Sequence, residues 1–339
     1  MFCLFVLLGF LLSYLSQRIL NADITQLNYS YFSYTILAIG LYGGVYGISI
    51  EEFKKNKKIV LSAVTLGVLL KSIIIGGLLF LVTGNYLSFI FGVVVAQIDP
   101  VSVSHLLKGG KSKRLSTKGE TVLRAWSSFD DPMTVLIALY FVLPILLGYT
   151  INSAITFNFT EYLFQILLNI CLAGVVYGVY SLVKNLKIHK VFDLVLLVLS
   201  FAVSIYFGYM LAIAIIALFL RPNIESVLNN AISFSFYSAS ILLGILLING
   251  ISIATGLFLA LFCIISQVIC SFLLARNFSF QDKVYLALGQ QNGITSIILA
   301  IIIFQYFPNI IGVIAPAIIV INILHYFLNT QADRYFLKT

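Results

Sequence analysis

Ala96-Gln97-Ile98-Asp99-Pro100-Val101-Ser102-Val103 places an acid and a proline in the middle of a long apolar run, and that pairing decides the fold. Pro100 removes a backbone donor and steers Asp99 away from helical geometry. The flanking run, residues 87–107, is long enough to cross a bilayer as a helix. The helix is therefore expected to unwind at Asp99, freeing carbonyls where lipid cannot satisfy them. Membrane-depth backbone of that kind is tolerated only where it lines a cavity enclosed by protein. A simple proline kink is common in membrane helices, but it leaves the acid unexplained.

Outward from this stretch the composition agrees. The chain has 339 residues, of which 61% are hydrophobic and 9% charged. A soluble domain carries about a quarter charged residues, so lipid must serve as this chain's solvent. Apolar runs predict about 12 transmembrane helices, near 2–20, 31–50, 58–82, 87–107, 118–147, 160–183, 191–206, 207–220, 230–248, 251–275, 282–306 and 308–328. The segment 191–220 is read as two short helices turning near Gly208, and the long fifth span is expected to bend near Pro144. With both termini in the cytoplasm, seventeen of the twenty Lys and Arg lie on one side. They include Lys54, Lys55, Lys57 and Lys58, the cluster from Lys108 through Lys111, Lys113 and Arg114 to Lys118, and Lys184, Lys187, Lys190, Arg221, Arg276, Lys283, Arg334 and Lys338. This is the positive-inside pattern, so the net charge of +8 reports topology rather than a nucleic-acid partner. Met1–Leu20 lacks a basic leader and a cleavage site and reads as a retained helix. Cys3, Cys171, Cys263 and Cys270 lie in apolar spans, where thiols pack as small hydrophobes and no disulfide is expected. His105, His189 and His325 are isolated, without metal-ligand spacing.

Few charges remain at membrane depth: Lys71, Asp99, Arg124, Asp130 and Asp131. Each costs roughly 2.5–3.5 kcal/mol at the bilayer centre on insertion scales, and such residues commonly mark ion pathways. Asp130 and Asp131 precede Pro132 in Trp126-Ser127-Ser128-Phe129-Asp130-Asp131-Pro132. Two adjacent carboxylates in a low dielectric repel, which favours keeping a proton on one of them. Ser127 lies four residues before Asp131, on the same helix face. Asp99, Asp131, Ser127 and freed carbonyls would form an oxygen-only set suited to a hard monovalent cation, with Ser128 and Thr134 as weaker members. Lys71, midway along the third span, is a possible counter-charge for Asp130 or Asp99. Arg124 lies nearer the cytoplasmic end and can reach water.

These residues resemble the monovalent cation:proton antiporter superfamily, the sodium/proton exchangers. Gln97-Ile98-Asp99-Pro100 is similar to a Thr-Asp-Pro motif with Ile98 in place of the threonine. Arg124 through Asp131 is similar to a Glu-Gly-Glu-Ser-Leu-Leu-Asn-Asp stretch. Leu261 to Val268 resembles another exchanger helix, and Leu288-Gly289-Gln290-Gln291-Asn292-Gly293-Ile294-Thr295-Ser296 a Gly-Gly-Leu-Arg-Gly stretch where a second helix unwinds. The resemblance implies inverted repeats, spans 1–5 and 8–12, with two crossing broken helices. It implies ion and proton binding at Asp131, Asp99, Asp130 and Ser127, and unwound backbone around Ile98, Pro100, Gln291 and Asn292. It also implies a homodimer in which core helices, about 58–147 and 251–328, move against scaffold helices, about 1–50 and 191–248, joined by a linker helix at about 160–183. Two positions that form a buried ion pair in the family are Trp126 and Gln267 here, so both charges are missing.

The function expected is exchange of a monovalent cation, sodium first, for protons across a cell inner membrane of bacterial or archaeal type, with the two ions competing for Asp131. No cofactor is expected, and no nucleophile–base pair suggests an enzyme. The partners are the ions themselves, membrane lipid and a second copy of the chain. Glycines at 43, 44, 47, 76 and 77 would permit close helix approach. The alternatives are a sodium-coupled solute symporter or channel of related broken-helix fold, and a non-transporting ion sensor.

Overall fold

The structure is a computed structural model that describes residues 2–20, 25, 28–46, 62–99, 103, 115–150, 159–184 and 189–336. Pro100, His105, Gly47, Lys54 to Lys58, Lys108 to Arg114, Lys187 and Lys338 lie outside the described residues, as do the side chains of Ser128, His189 and Lys190.

Every regular element among the described residues is helical. The α-helices are α1 (Phe2–Leu20), α2 (Ser30–Tyr46), α3 (Val68–Thr83), α4 (Ser88–Val95), α5 (Thr117–Ile137), α6 (Leu143–Thr150) and α7 (Phe159–Val183). They continue with α8 (His189–Phe207), α9 (Met210–Ile216), α10 (Glu225–Leu246), α11 (Ile253–Leu274), α12 (Phe280–Ala287), α13 (Ile294–Phe304) and α14 (Ile310–Phe336). Seven segments among the described residues are long and apolar enough to cross a membrane, and α8 and α13 are shorter apolar helices. The chain is a multi-pass membrane protein.

The layering follows from which helices are apolar all round. In α13 every residue from Ile294 to Ile303 is buried, and in α4 all but Phe89 are buried. A helix without a polar face belongs in the interior, and these two short helices form the centre. At the periphery α1 and α7 turn large apolar side chains outward, among them Leu4, Leu7, Leu167 and Val175, as lipid requires. Close helix crossings rest on glycine. A Cβ at Gly9 would strike the backbone of α10 at Ile241, and one at Gly244 the backbone of α1 at Val6. Gly92 of α4 meets Gly76 of α3 at 2.6 Å from a would-be Cβ to the Gly76 nitrogen. Gly77, by contrast, faces open space and contributes no close approach.

The turn expected near Gly208 is present. Gly208 takes a left-handed φ of 75°, separating α8 from α9. Tyr140 donates its hydroxyl to the Gly208 carbonyl at 2.5 Å, and Asn169 of α7 accepts the Ala212 N–H at 3.0 Å. Buried helix ends need such partners, and here neighbouring helices supply them. The long fifth segment does not stop at Pro132 or Pro144. It runs from α5 through a π turn, Ala138–Val142, into α6. Pro144 has no N–H for the Tyr140 carbonyl, and the wider turn lies where that bond is lost.

One clasp fixes the approach to the centre. Ser116 caps α5, accepting from Gly119 N–H, and gives its own N–H and hydroxyl to the two Asp282 oxygens at 2.8 Å each. Asp282 stands in the first turn of α12. The helix carrying Asp130 and Asp131 and the one leading into the second break therefore start from a shared anchor. Arg124 pairs one turn back with Glu120 at 2.7 Å, both about two-fifths exposed, so its charge is spent outside the interior.

Candidate ion-binding site

Two stretches without helical structure meet at the centre. After α4 the chain runs unwound from Ala96 to Asp99, and between α12 and α13 it leaves the helix from Leu288 to Gly293. The Asp99 N–H donates to the Gln291 carbonyl at 2.8 Å, joining the stretches directly. Side chains complete the bond. Gln290 Nε2 donates to the Gln97 carbonyl at 2.7 Å and to that of Val95 at 3.2 Å, while Asn292 Nδ2 reaches Val95 O at 3.0 Å. The Cys263 thiol donates to the same Val95 carbonyl at 3.1 Å. These freed carbonyls, expected to serve a cation, already accept from the protein. Gly293 lets the stretches touch, because a Cβ there would collide with the Asp99 carboxylate. Gly293→Ala is expected to displace Asp99 and cost about 1–3 kcal/mol, as overpacked sites do; thermal melting of the purified protein in detergent measures it.

Consecutive helical residues point about 100° apart, so Asp130 and Asp131 meet different neighbours. Asp130 Oδ2 accepts from Lys71 Nζ at 3.1 Å and from the Ile98 N–H at 2.9 Å, and neither charged side chain is exposed. Lys71 also lies 3.4 Å from Gln290 Oε1 and 5.5 Å from the Trp126 ring centroid. Lys71 and Asp130 thus form a neutral pair that touches both unwound stretches. Asp131 looks the other way. Thr295, in the first turn of α13, donates its hydroxyl to Asp131 Oδ2 at 2.9 Å. The Gln97 amide donates to Asp131 Oδ1 at 2.7 Å while its oxygen accepts from the Ser296 hydroxyl and N–H, the orientation that sets donors against acceptors. Asp131 is 3% exposed and has no salt bridge among the described residues. Asp99, 7% exposed, is close enough for the two carboxylates to repel.

The remaining residues singled out from sequence lie around this centre. Ser127 is buried one turn before Asp131, with its hydroxyl donated back to the Arg124 carbonyl at 3.1 Å. Thr134 is buried, and its hydroxyl has no hydrogen-bond partner among the described residues. Trp126 fills the space beside Lys71 and Gly67, its ring 3.3 Å from a would-be Gly67 Cβ. Gln267 donates to the Leu286 carbonyl at 3.0 Å and to Ser271 Oγ at 3.2 Å, closing the end of α12. A cation over an indole face is stabilised without a second charge, which suits a helix that carries tryptophan where the resemblance has glutamate. The sequence motif includes Thr295 and Ser296 but assigns them no role; a hydroxyl two residues past Gly293, the end of the unwound stretch, is the signal available for Thr295.

The model of the transmembrane sodium/hydrogen exchanger family matches residues 1–330. The chain belongs to the sodium/hydrogen exchanger family. No curated protein matches its sequence. Among solved structures, the sodium proton antiporter MjNhaP1 from Methanocaldococcus jannaschii at pH 8 is similar, with a TM-score of 0.69 and 19% identity over 97% of this chain and 95% of that one. An electron-microscopy map of the same antiporter gives a TM-score of 0.67 and 19% identity over 98% and 91%. At that identity the likeness establishes the fold. The broken helices α4 and α12–α13 of this exchanger-family chain therefore sit in an antiporter-like architecture.

Proposed function

We propose that the protein is a secondary antiporter that exchanges a monovalent cation, sodium first, for protons by alternating access, with both ions competing for Asp131. The observation that carries this is the asymmetry of the two adjacent acids. Asp130 is neutralised by Lys71, whereas the partners of Asp131 among the described residues are the neutral donors Thr295 and Gln97, and it faces a second carboxylate. A charge at membrane depth must be compensated, and at Asp131 a bound cation or a proton supplies that compensation. Neither ion needs a cofactor. Asp99 and the Thr295 hydroxyl are the further oxygens at the site, with Ser127 one turn away.

The moving core is proposed to comprise the helices at about 58–147 and 251–328. The scaffold comprises those at about 1–50 and 191–248, with residues 160–183 as linker, a second copy completing a homodimer and both termini in the cytoplasm. The test is proteoliposomes with an entrapped pH dye. An imposed sodium gradient should drive protons the opposite way, and lithium and potassium gradients rank the cations. Absence of proton movement with every monovalent cation would overturn the reading. Thr295→Val removes the hydroxyl while keeping the shape. Losing a hydrogen bond to a charged group costs about 1.5–3 kcal/mol, so the apparent KM for the cation should rise about tenfold or more, with Thr295→Ser restoring it.

A further inference from the structure

Three carbonyls of the second unwound stretch are met by α14. Asn322 Nδ2 donates to the Asn292 carbonyl at 3.2 Å, and its Oδ1 accepts the Asn292 N–H at 3.2 Å. His325 Nδ1 lies 3.1 Å from the Gln290 carbonyl, and Asn329 Nδ2 donates to that of Leu288 at 2.9 Å. Alternate residues of the unwound stretch, Leu288, Gln290 and Asn292, thus meet positions spaced three and four apart on one helix face. The opposite face of α14 is apolar and exposed at Ile323, Tyr326 and Phe327, so the polar stripe is turned inward.

We propose that Asn322, His325 and Asn329 form a positioning ladder that holds Leu288–Asn292 in its unwound shape, with His325 as the middle rung in its Nδ1–H tautomer. A carbonyl only accepts, so the bond to Gln290 at 3.1 Å places the hydrogen on Nδ1. A bond from the Asn329 amide nitrogen, 3.3 Å from the same atom, would need it bare; the shorter contact sets the tautomer proposed. The rung acts on the ion site through Gln290. That residue's carbonyl is fixed by His325, and its side chain holds the Gln97 and Val95 carbonyls and accepts from Lys71. Releasing the ladder loosens Gln97 and Asp99 without removing any group that touches the ion. The inference rests on the exchange reading for its transport readout only.

The experiment compares wild type, His325→Leu and His325→Asn, the last keeping an amide donor near the Nδ1 position. Nitrogen-15 spectra of histidine-labelled protein, with His325 assigned by its loss in His325→Asn, should show Nδ1 protonated; a neutral ring protonated at Nε2 overturns the ladder. In proteoliposomes His325→Leu should raise the apparent KM for sodium about tenfold, the scale of one hydrogen bond, with the maximal rate within about threefold. His325→Asn should return KM to within about threefold of wild type. An unchanged KM in His325→Leu, or equal damage in both variants, overturns the proposal. If wild type itself moves no protons, the exchange reading fails and the spectra decide the ladder alone.

Discussion

Lys71→Ala is expected to destabilise the protein by about 3–5 kcal/mol, the loss seen when one partner of a buried ion pair is removed. The reason is local. Asp130 is fully buried, its Oδ1 has no partner at hydrogen-bond distance among the described residues, and its Oδ2 would keep the Ile98 N–H. The Trp126 ring would also lose the cation it faces. The double substitution Lys71→Met with Asp130→Asn removes both charges and keeps an oxygen for Ile98 N–H, so most of the stability should return. Melting temperatures in detergent for wild type, Lys71→Met, Asp130→Asn and the double make a complete cycle. Equal losses in the Lys71 single and the double would show that the pair is not what the interior needs. Because Asp131 is separate from this pair, the double variant is also expected to retain cation-driven proton movement.

Asp131→Asn should abolish coupled exchange, with a fall of at least about a hundredfold in sodium-driven proton flux, ~2.7 kcal/mol of lost transport free energy. The amide oxygen can still accept the Thr295 hydroxyl while its nitrogen meets the Gln97 amide nitrogen, so melting in detergent is measured beside the flux. What disappears is the charge that compels a load. An unloaded carboxylate at membrane depth is costly and keeps the empty carrier in place, whereas an amide carries neither that cost nor a titratable proton. Retention of full flux by a folded Asp131→Asn protein would remove Asp131 from the centre of the mechanism.

Much of this arrangement was legible in the sequence because its signals are chemical anomalies. Acids and a lysine inside apolar runs stand out, and Pro100 beside Asp99 and the polar run Gly289 to Gly293 mark places where helices stop. Counting the few charges that need partners left Lys71 with Asp130 or Asp99, and the structure pairs it with Asp130. Other features have no such signature. Thr295 and Ser296 are ordinary residues in an apolar helix until Asp131 and Gln97 are placed beside them. Asn322, His325 and Asn329 show helical spacing but no hint that they face freed carbonyls. The carbonyls freed ahead of Asp99 were expected to be open to a cation, and side chains distant in sequence, Gln290, Asn292 and Cys263, take those of Val95 and Gln97. Trp126 and Gln267 looked like deletions of charge, yet the structure puts a ring against Lys71 and an amide on the end of α12.

The central claim, that cation and proton compete for one carboxylate, is tested most directly by the apparent KM for sodium in proteoliposomes across a pH series. As pH falls, protons fill Asp131 and more sodium is needed to displace them. In the range where the proton dominates, KM should therefore rise about tenfold per pH unit at constant maximal rate, the ratio set by one proton exchanged for one ion. A KM independent of pH, with only the maximal rate changing, would contradict competition at Asp131.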